Sequence, residues 1–239
     1  MGMSYIKKIL AGFALLSIEL VITLILFVIA LVGFVYITTN VFELKSTTFD
    51  RHVFATILPH ITDMRTTIMV WFSFMGSSAF LLPANILLAA YFLFVVRHRW
   101  YSIRVPVISL GSFLVMSGLK LVFHRPRPLD PVYEAARGFS YPSGHAMSAM
   151  TFYGLLIFLV FDKIRNKTMR WLLAFLLVAL IFLIGFSRVY LRVHYASDVL
   201  AGFSLGLIWL VLTLWVINKI ENYTRREVGA IVDNDNTTV

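Results

Sequence analysis

The sequence predicts an all-α fold: a bundle of six membrane-spanning helices, with an amphipathic helix at the interface between the first two. Three observations predict it. Of the 239 residues, 59% are hydrophobic and only 14% charged, against roughly 45–50% and about 25% in a soluble domain. The apolar residues gather into six runs close to the ~20 residues that a spanning helix needs. Between the first two runs, residues 47–65 mix polar and apolar side chains at helical spacing, as in helices that lie in an interface.

The six runs are residues 17–37, 78–96, 106–123, 146–161, 171–186 and 199–217. The fourth and fifth are short, and their natural extension is into the polar segments beside them. Residues 38–77 form a long mixed stretch, and Pro59 predicts a kink or break within its amphipathic part. Because the helices share one bundle, residues 1–221 read as a single domain. Residues 222–239 are polar, with Asp233-Asn234-Asp235-Asn236 near the end, and predict a disordered cytoplasmic tail. Glu19, near the start of the first run, is an acid at membrane depth. The simpler reading starts the span just after it, far from any site.

Several classes are excluded. There is no cysteine, so disulfide and thiolate-metal chemistry are out. The net charge of +9 sits at the ends of the apolar runs rather than in blocks, which fits membrane topology and an anionic substrate and gives no reason to expect nucleic acid. Lys7 and Lys8 precede an apolar run too long for a cleavable signal peptide. Ile6 stands where a myristoylation signal needs Ser or Thr. Of the 21 Lys and Arg, twelve fall on the side that holds both termini and nine on the other. Five of those nine (Lys120, Arg125, Arg127, Arg188 and Arg192) cluster in segments suited to an anion. Without them the asymmetry places both termini in the cytoplasm and the clustered segments outside.

Three segments share that outer side. Lys120 ends an apolar helix, and Arg125 and Arg127 follow in a proline-broken loop. A charge at such depth faces water or a partner, although Lys120 alone would equally suit snorkelling. Arg presents a fork of donors matched to phosphate oxygens. In Pro142-Ser143-Gly144-His145, Pro142 interrupts, Ser143 caps the next helix, and the helix start suits an anion. His145 lies in that first turn. In Ser187-Arg188 to His194 to Asp198, His194 and Asp198 are four apart and would share a helix face. A carboxylate there holds one imidazole nitrogen and frees the other to attack. Read alone, each segment also admits a plain structural role: a basic loop, a capped helix, a surface ion pair. Together they supply fixed cations, an oriented nucleophile and a second histidine as acid. His52, His60 and His98 have no comparable surroundings, while His124 adjoins the basic cluster. Nearby carboxylates are only Asp130, Glu134 and Asp198, too few for a two-metal site. No metal and no cofactor are therefore expected.

These segments resemble the three signature motifs of the type 2 phosphatidic acid phosphatase family, the lipid phosphate phosphatases: Lys, six residues, Arg-Pro; Pro-Ser-Gly-His; and Ser-Arg, five residues, His, three residues, Asp. All three match without departure, within about a third of the chain. The resemblance implies a six-helix bundle with its site near the outer membrane surface. It implies that Lys120, Arg127 and Arg188 clamp phosphate with help from Ser143 and Gly144, that His194 forms a phosphohistidine, that His145 protonates the leaving group, and that Asp198 orients His194, all without metal. It implies a lipid phosphate drawn from the bilayer (phosphatidylglycerol phosphate, phosphatidic acid or undecaprenyl pyrophosphate) as substrate, in a bacterial inner membrane. A lipid phosphotransferase of the same family is the alternative, followed by a non-catalytic lipid-phosphate binder or transporter. Lipid entry is expected through a gap beside the fourth run. The 47–65 stretch is expected to cover the site.

Overall fold

The structure, a computed structural model, describes residues 18–45, 47–133 and 137–236. Lys7, Lys8, Glu134 and the side chain of Glu19 lie outside what is described. The helices are α1 (Ile18–Phe42), α2 (Thr48–Ile57), α3 (Asp63–Met75), α4 (Ser78–Ala90), α5 (Arg99–Phe123), α6 (Gly144–Lys163), α7 (Lys167–Tyr190) and α8 (Ala196–Asn236). Among the described residues, six helical segments are long and apolar enough to cross a membrane: Val21–Phe42, Asp63–Val95, Arg99–Phe123, Gly144–Lys163, Lys167–Tyr190 and Ala196–Arg225. All six predicted runs are there. Large apolar side chains cover the outside, among them Phe94 at 72% and Phe175 at 69% exposure, a surface that only lipid tails would cover.

The differences lie at the ends of elements. The second span begins at Asp63, not near residue 78. Thr62 caps α3 by accepting the Arg65 amide, Gly76 closes α3, and Ser77 caps α4 in turn. This Gly-Ser break splits one spanning helix into two apolar pieces, and the first then reads as loop. The amphipathic helix is correspondingly shorter, ending at Ile57 before a 3-10 turn, Leu58–His60, that contains Pro59. The third span starts at Arg99, which draws Arg104 inside. Arg104 is buried against Glu221 (2.8 Å) and Asn218 (2.6 Å) of α8 and lies 4.7 Å over the Tyr101 ring. An apolar stretch interrupted by arginine hides its own helical start, because the neutralising acid is far away in sequence. The last helix continues to Asn236, so the backbone of 222–236 is helical where the composition predicts none.

The core sits around α6, which is wrapped by α7 and α8. Ala146, Ala149, Tyr153, Ile184, Val189, Val199 and Phe203 form its centre. Close approach of α8 to the start of α6 depends on two glycines one turn apart. A β-carbon on Gly202 would stand 2.6 Å from the Ser143 carbonyl oxygen, and one on Gly206 would stand 2.9 Å from that of Met147. Small residues at this spacing let helix backbones meet in membranes. The contact also ties the two motif-bearing helix starts together, since the Ser143 amide donates to the Asp198 carbonyl at 3.0 Å. Gly202→Ala is expected to cost about 1–3 kcal/mol, because the obstacle is backbone and not a movable side chain. A lowered thermal midpoint in detergent checks this. Gly118→Ala is the control and should not lower the midpoint, because a β-carbon there would meet nothing within 4 Å and Ala suits a helix interior better than Gly.

Candidate active site

The turn between α7 and α8 carries the central histidine. The carbonyl of Arg188, in the last turn of α7, accepts from the amides of Val193 (3.2 Å) and His194 (3.3 Å). His194 is thereby folded back under the helix end at 2% exposure. It stands two residues before α8, so it does not share a helix with Asp198 as the spacing suggests. The two meet because Asp198 occupies the first turn of α8 and reaches back, accepting from the Tyr195 amide at 2.9 Å. An acid so placed satisfies a helix-start N–H and benefits from the helix dipole.

Asp198 is wholly buried and uses both oxygens. Oδ2 lies 3.5 Å from His194 Nδ1, long for a direct hydrogen bond. The Ser140 hydroxyl stands beside both, donating to Oδ2 and lying 3.3 Å from Nδ1. Oδ1 accepts from Arg125 Nη1 at 2.5 Å. On the other side of the ring, Arg127 Nη1 lies 3.2 Å from Nε2. A guanidinium only donates, so Nε2 carries the lone pair and Nδ1 the proton, on the side of Ser140 and Asp198. Burial pulls the His194 pKa down to about 4, outweighing the opposing pull of Asp198, with Arg127 and Arg188 adding to the depression. The imidazole is neutral at physiological pH.

Lys120, Arg127 and Arg188 lie within electrostatic reach of one another. Lys120, in the last turn of α5, donates to the Phe139 carbonyl at 2.5 Å and lies within electrostatic reach of Arg127, Asp198 and Arg188. Arg127 donates to the carbonyls of Gly138 (2.9 Å), Arg137 (3.0 Å) and Val193 (2.7 Å). Burial lowers its pKa against the pull of Asp198. Arg188 bonds the Ser73 hydroxyl of α3, and its buried Nε–H has no acceptor among the described residues. Ser143 is fully buried and its hydroxyl caps the Ala146 amide at 3.5 Å; its side chain is committed to the helix. Gly144 and His145 open α6. His145 lies within electrostatic reach of Arg188, His194, Arg127 and Lys120.

Three side chains outside the predicted set complete the constellation: Asp50, Arg125 and Ser140. Arg125, which the sequence places in the anion-binding basic cluster, is instead committed to Asp198 and Asp50. Burial opposes its charge, but Asp198 and Asp50 outweigh that and raise its pKa. Asp50, on α2, marks where the amphipathic stretch touches the site, as expected of a cover. Phe54 of the same helix lies 5.8 Å from the Tyr195 ring.

A cavity of about 400 Å³ opens beside His145, walled by α4, α5 and α6 through Leu81, Asn85, Ile108, Phe113, Met116 and Phe152. Asn85, Ser109, Ser112 and Thr151 turn their polar atoms to their own helix backbones. The wall they leave is apolar. A larger hollow of about 610 Å³ lies along the other end of α6, by Lys163, roughly 27 Å away at 1.5 Å per residue. Among the described residues, no three His, Asp or Glu side chains group as metal ligands.

The comparisons with known proteins agree with this geometry. The model of the PAP2 superfamily matches residues 101–221. Phosphatidylglycerophosphatase B of Bacillus subtilis is 31% identical over 163 residues, 66% of this chain and 78% of that one. Undecaprenyl-diphosphatase BcrC of the same organism is 26% identical over 156 residues, 63% and 74% of the two chains. The crystal structure of a transmembrane PAP2-type phosphatidylglycerolphosphate phosphatase from Bacillus subtilis superposes with a TM-score of 0.70 at 26% identity, covering 83% of this chain and 96% of that one. A family match that spans all three motifs, on a bundle that the solved relative shares, places the chain in the PAP2 superfamily.

Proposed function

We propose that this multi-pass membrane protein hydrolyses the phosphomonoester or diphosphate of a lipid through a phosphohistidine on His194, without metal. The observation that carries the reading is the neutral His194, its bare Nε2 turned toward Arg127 and its other face turned to Ser140 and Asp198. In the proposed reaction the phosphate settles among Lys120, Arg127 and Arg188, whose unpartnered Nε–H needs an acceptor. The amides of Gly144 and His145, at the start of α6, add donors. Nε2 bonds to phosphorus as the phosphorus–oxygen bond to the leaving group breaks, and His145 gives that oxygen its proton. Asp198 stabilises the positive charge that the attacked imidazole acquires. Water then attacks phosphorus, returning a proton to His145 and freeing His194. Metal independence is supported by the donor set: Asp198 and Asp50 are already committed to Arg125.

The names of the relatives support phosphatidylglycerol phosphate and undecaprenyl pyrophosphate as the first substrates to try. The cavity beside His145 supports entry from the bilayer between α4, α5 and α6, with the lipid tails along its apolar wall. The Lys and Arg distribution supports a cytoplasmic membrane with both termini inside and the site facing outward.

Phosphate release from a panel of lipid phosphates and pyrophosphates, with EDTA present, is expected for wild type and expected to fall by ~10⁴-fold or more for His194→Ala. Release that needs added magnesium would sink the metal-free reading. The pH profile gives a second check. The base is the neutral form, and its pKa is depressed from 6.5 to about 4. Loss of activity through His194 protonation is therefore expected only near pH 4, so kcat/KM should hold through about pH 5.5 on that limb. An acid limb near the ordinary histidine value that Asp198→Asn moves would refute the depressed value. Ser148→Phe, which fills the cavity beside His145, should depress turnover of a long-chain lipid phosphate while sparing a short water-soluble phosphate ester. Equal losses on both would argue against entry by this route.

A further inference from the structure

Asp50 is buried to 3% exposure on a helix whose neighbouring side chains Arg51 and His52 are exposed. A carboxylate taken out of water on such a helix demands compensation. It gets it entirely from the site. Oδ1 accepts from the Ser197 amide at 2.9 Å; Oδ2 accepts from the Ser197 hydroxyl at 2.6 Å and from Arg125 Nη2 at 2.8 Å. Arg125 in turn gives Nη1 to Asp198 and to Ser197, and lies 4.1 Å over the Tyr195 ring. One guanidinium therefore stands between two carboxylates, 75 residues from the first and 73 from the second along the chain.

The charge count gives this arrangement its meaning. Arg125 against Asp198 alone would cancel, leaving little negative charge for the imidazole. With Asp50 present, the trio carries one net negative charge. Asp198 can then keep Oδ2 turned to Ser140 and His194 while Oδ1 answers Arg125. We infer that Asp50 is a positioning residue of the phosphoryl transfer: held by Ser197, it takes up half of Arg125 and so keeps Asp198 aimed at His194 and charged toward it. Asp50 touches neither phosphate nor the reacting nitrogen, and it acts through Arg125. This rests on the phosphatase reading above. It also makes α2 part of the catalytic machinery, since the helix between the first two spans supplies a charge on which the motif residues depend.

The test compares wild type, Asp50→Asn and Ser197→Ala in the phosphate-release assay, together with the rate at which diethyl pyrocarbonate modifies His194, read by mass spectrometry. Asp50→Asn keeps the shape and removes the charge. It is expected to lower kcat by roughly 10²-fold, the scale of a misplaced catalytic group, with KM within about twofold. It should slow His194 modification severalfold while the His145 rate holds. Ser197→Ala, which leaves the charge and loosens its hold, should give a smaller loss of the same kind. Its fold can be checked by the thermal midpoint if Asp50→Asn proves unstable. Wild-type kcat in Asp50→Asn overturns the inference, as does a loss confined to KM, or a fall in kcat with His194 labelling unchanged. A wild type that releases no phosphate from any lipid would remove the phosphatase reading instead, and the labelling rates would still decide whether Asp50 governs His194.

Discussion

A fully buried carboxylate is the constraint around which this bundle is arranged. Asp198 has no access to water, and an isolated charge there would be prohibitive. Its burial is offset by contributions from three parts of the chain: the start of its own helix, Arg125 from the loop after α5, and Ser140 from the loop before α6, while Asp50 holds Arg125 from behind. Each contribution fixes the position of the segment that makes it. The polar network therefore organises the motif-bearing end of the bundle as a packed core would in a soluble protein, and a network of this kind is costly to satisfy only in part.

The opposite end solves the same problem with less. Arg104, buried in α5, is matched by Glu221 of α8, whose second oxygen accepts from Arg225. Asp162 and Lys163 pair nearer the surface, beside the Tyr101 hydroxyl. Here the groups neutralise one another, every cation named being in contact with an acid. At the candidate site, by contrast, Lys120, Arg127 and Arg188 lie within electrostatic reach of one another, and none of them has a salt bridge among the described residues. That asymmetry distinguishes the candidate site from a structural pin, though both are built from the same residue types.

The six spans were legible because apolar length is a local property. The site was legible where its residues sit in short fixed spacings: Lys120 with Arg127, Ser143 with His145, Arg188 with His194 and Asp198. What escaped were partners joined only by folding. Asp50 is one acid in a polar stretch, and nothing in its neighbours distinguishes it from Asp63, which stays outside. Ser140 stands two residues before the Pro-Ser-Gly-His segment with no pattern to mark it. The helical approach of α3 was obscured by Gly76 and Ser77, which break a single span into pieces that look separate. The helix expected to hold His194 beside Asp198 is a turn, because the chain folds back on the Arg188 carbonyl before α8 begins.

The backbone carbonyls of residues 137–139 accept from Lys120 Nζ and from Nε and Nη2 of Arg127. The cations are therefore partly solvated by peptide oxygen, and on the proposed function a phosphate would compete with those carbonyls. A neutral headgroup brings acceptors no better than those it displaces. A phosphodiester adds one negative charge, shared over two oxygens. A terminal phosphate carries about −1.5 to −2 at neutral pH with three exposed oxygens, and gains most from the exchange. On the proposed function, the peptide loop would act as a threshold of charge, one that the diester lipids of the surrounding bilayer fall short of and that a terminal phosphate is best equipped to cross.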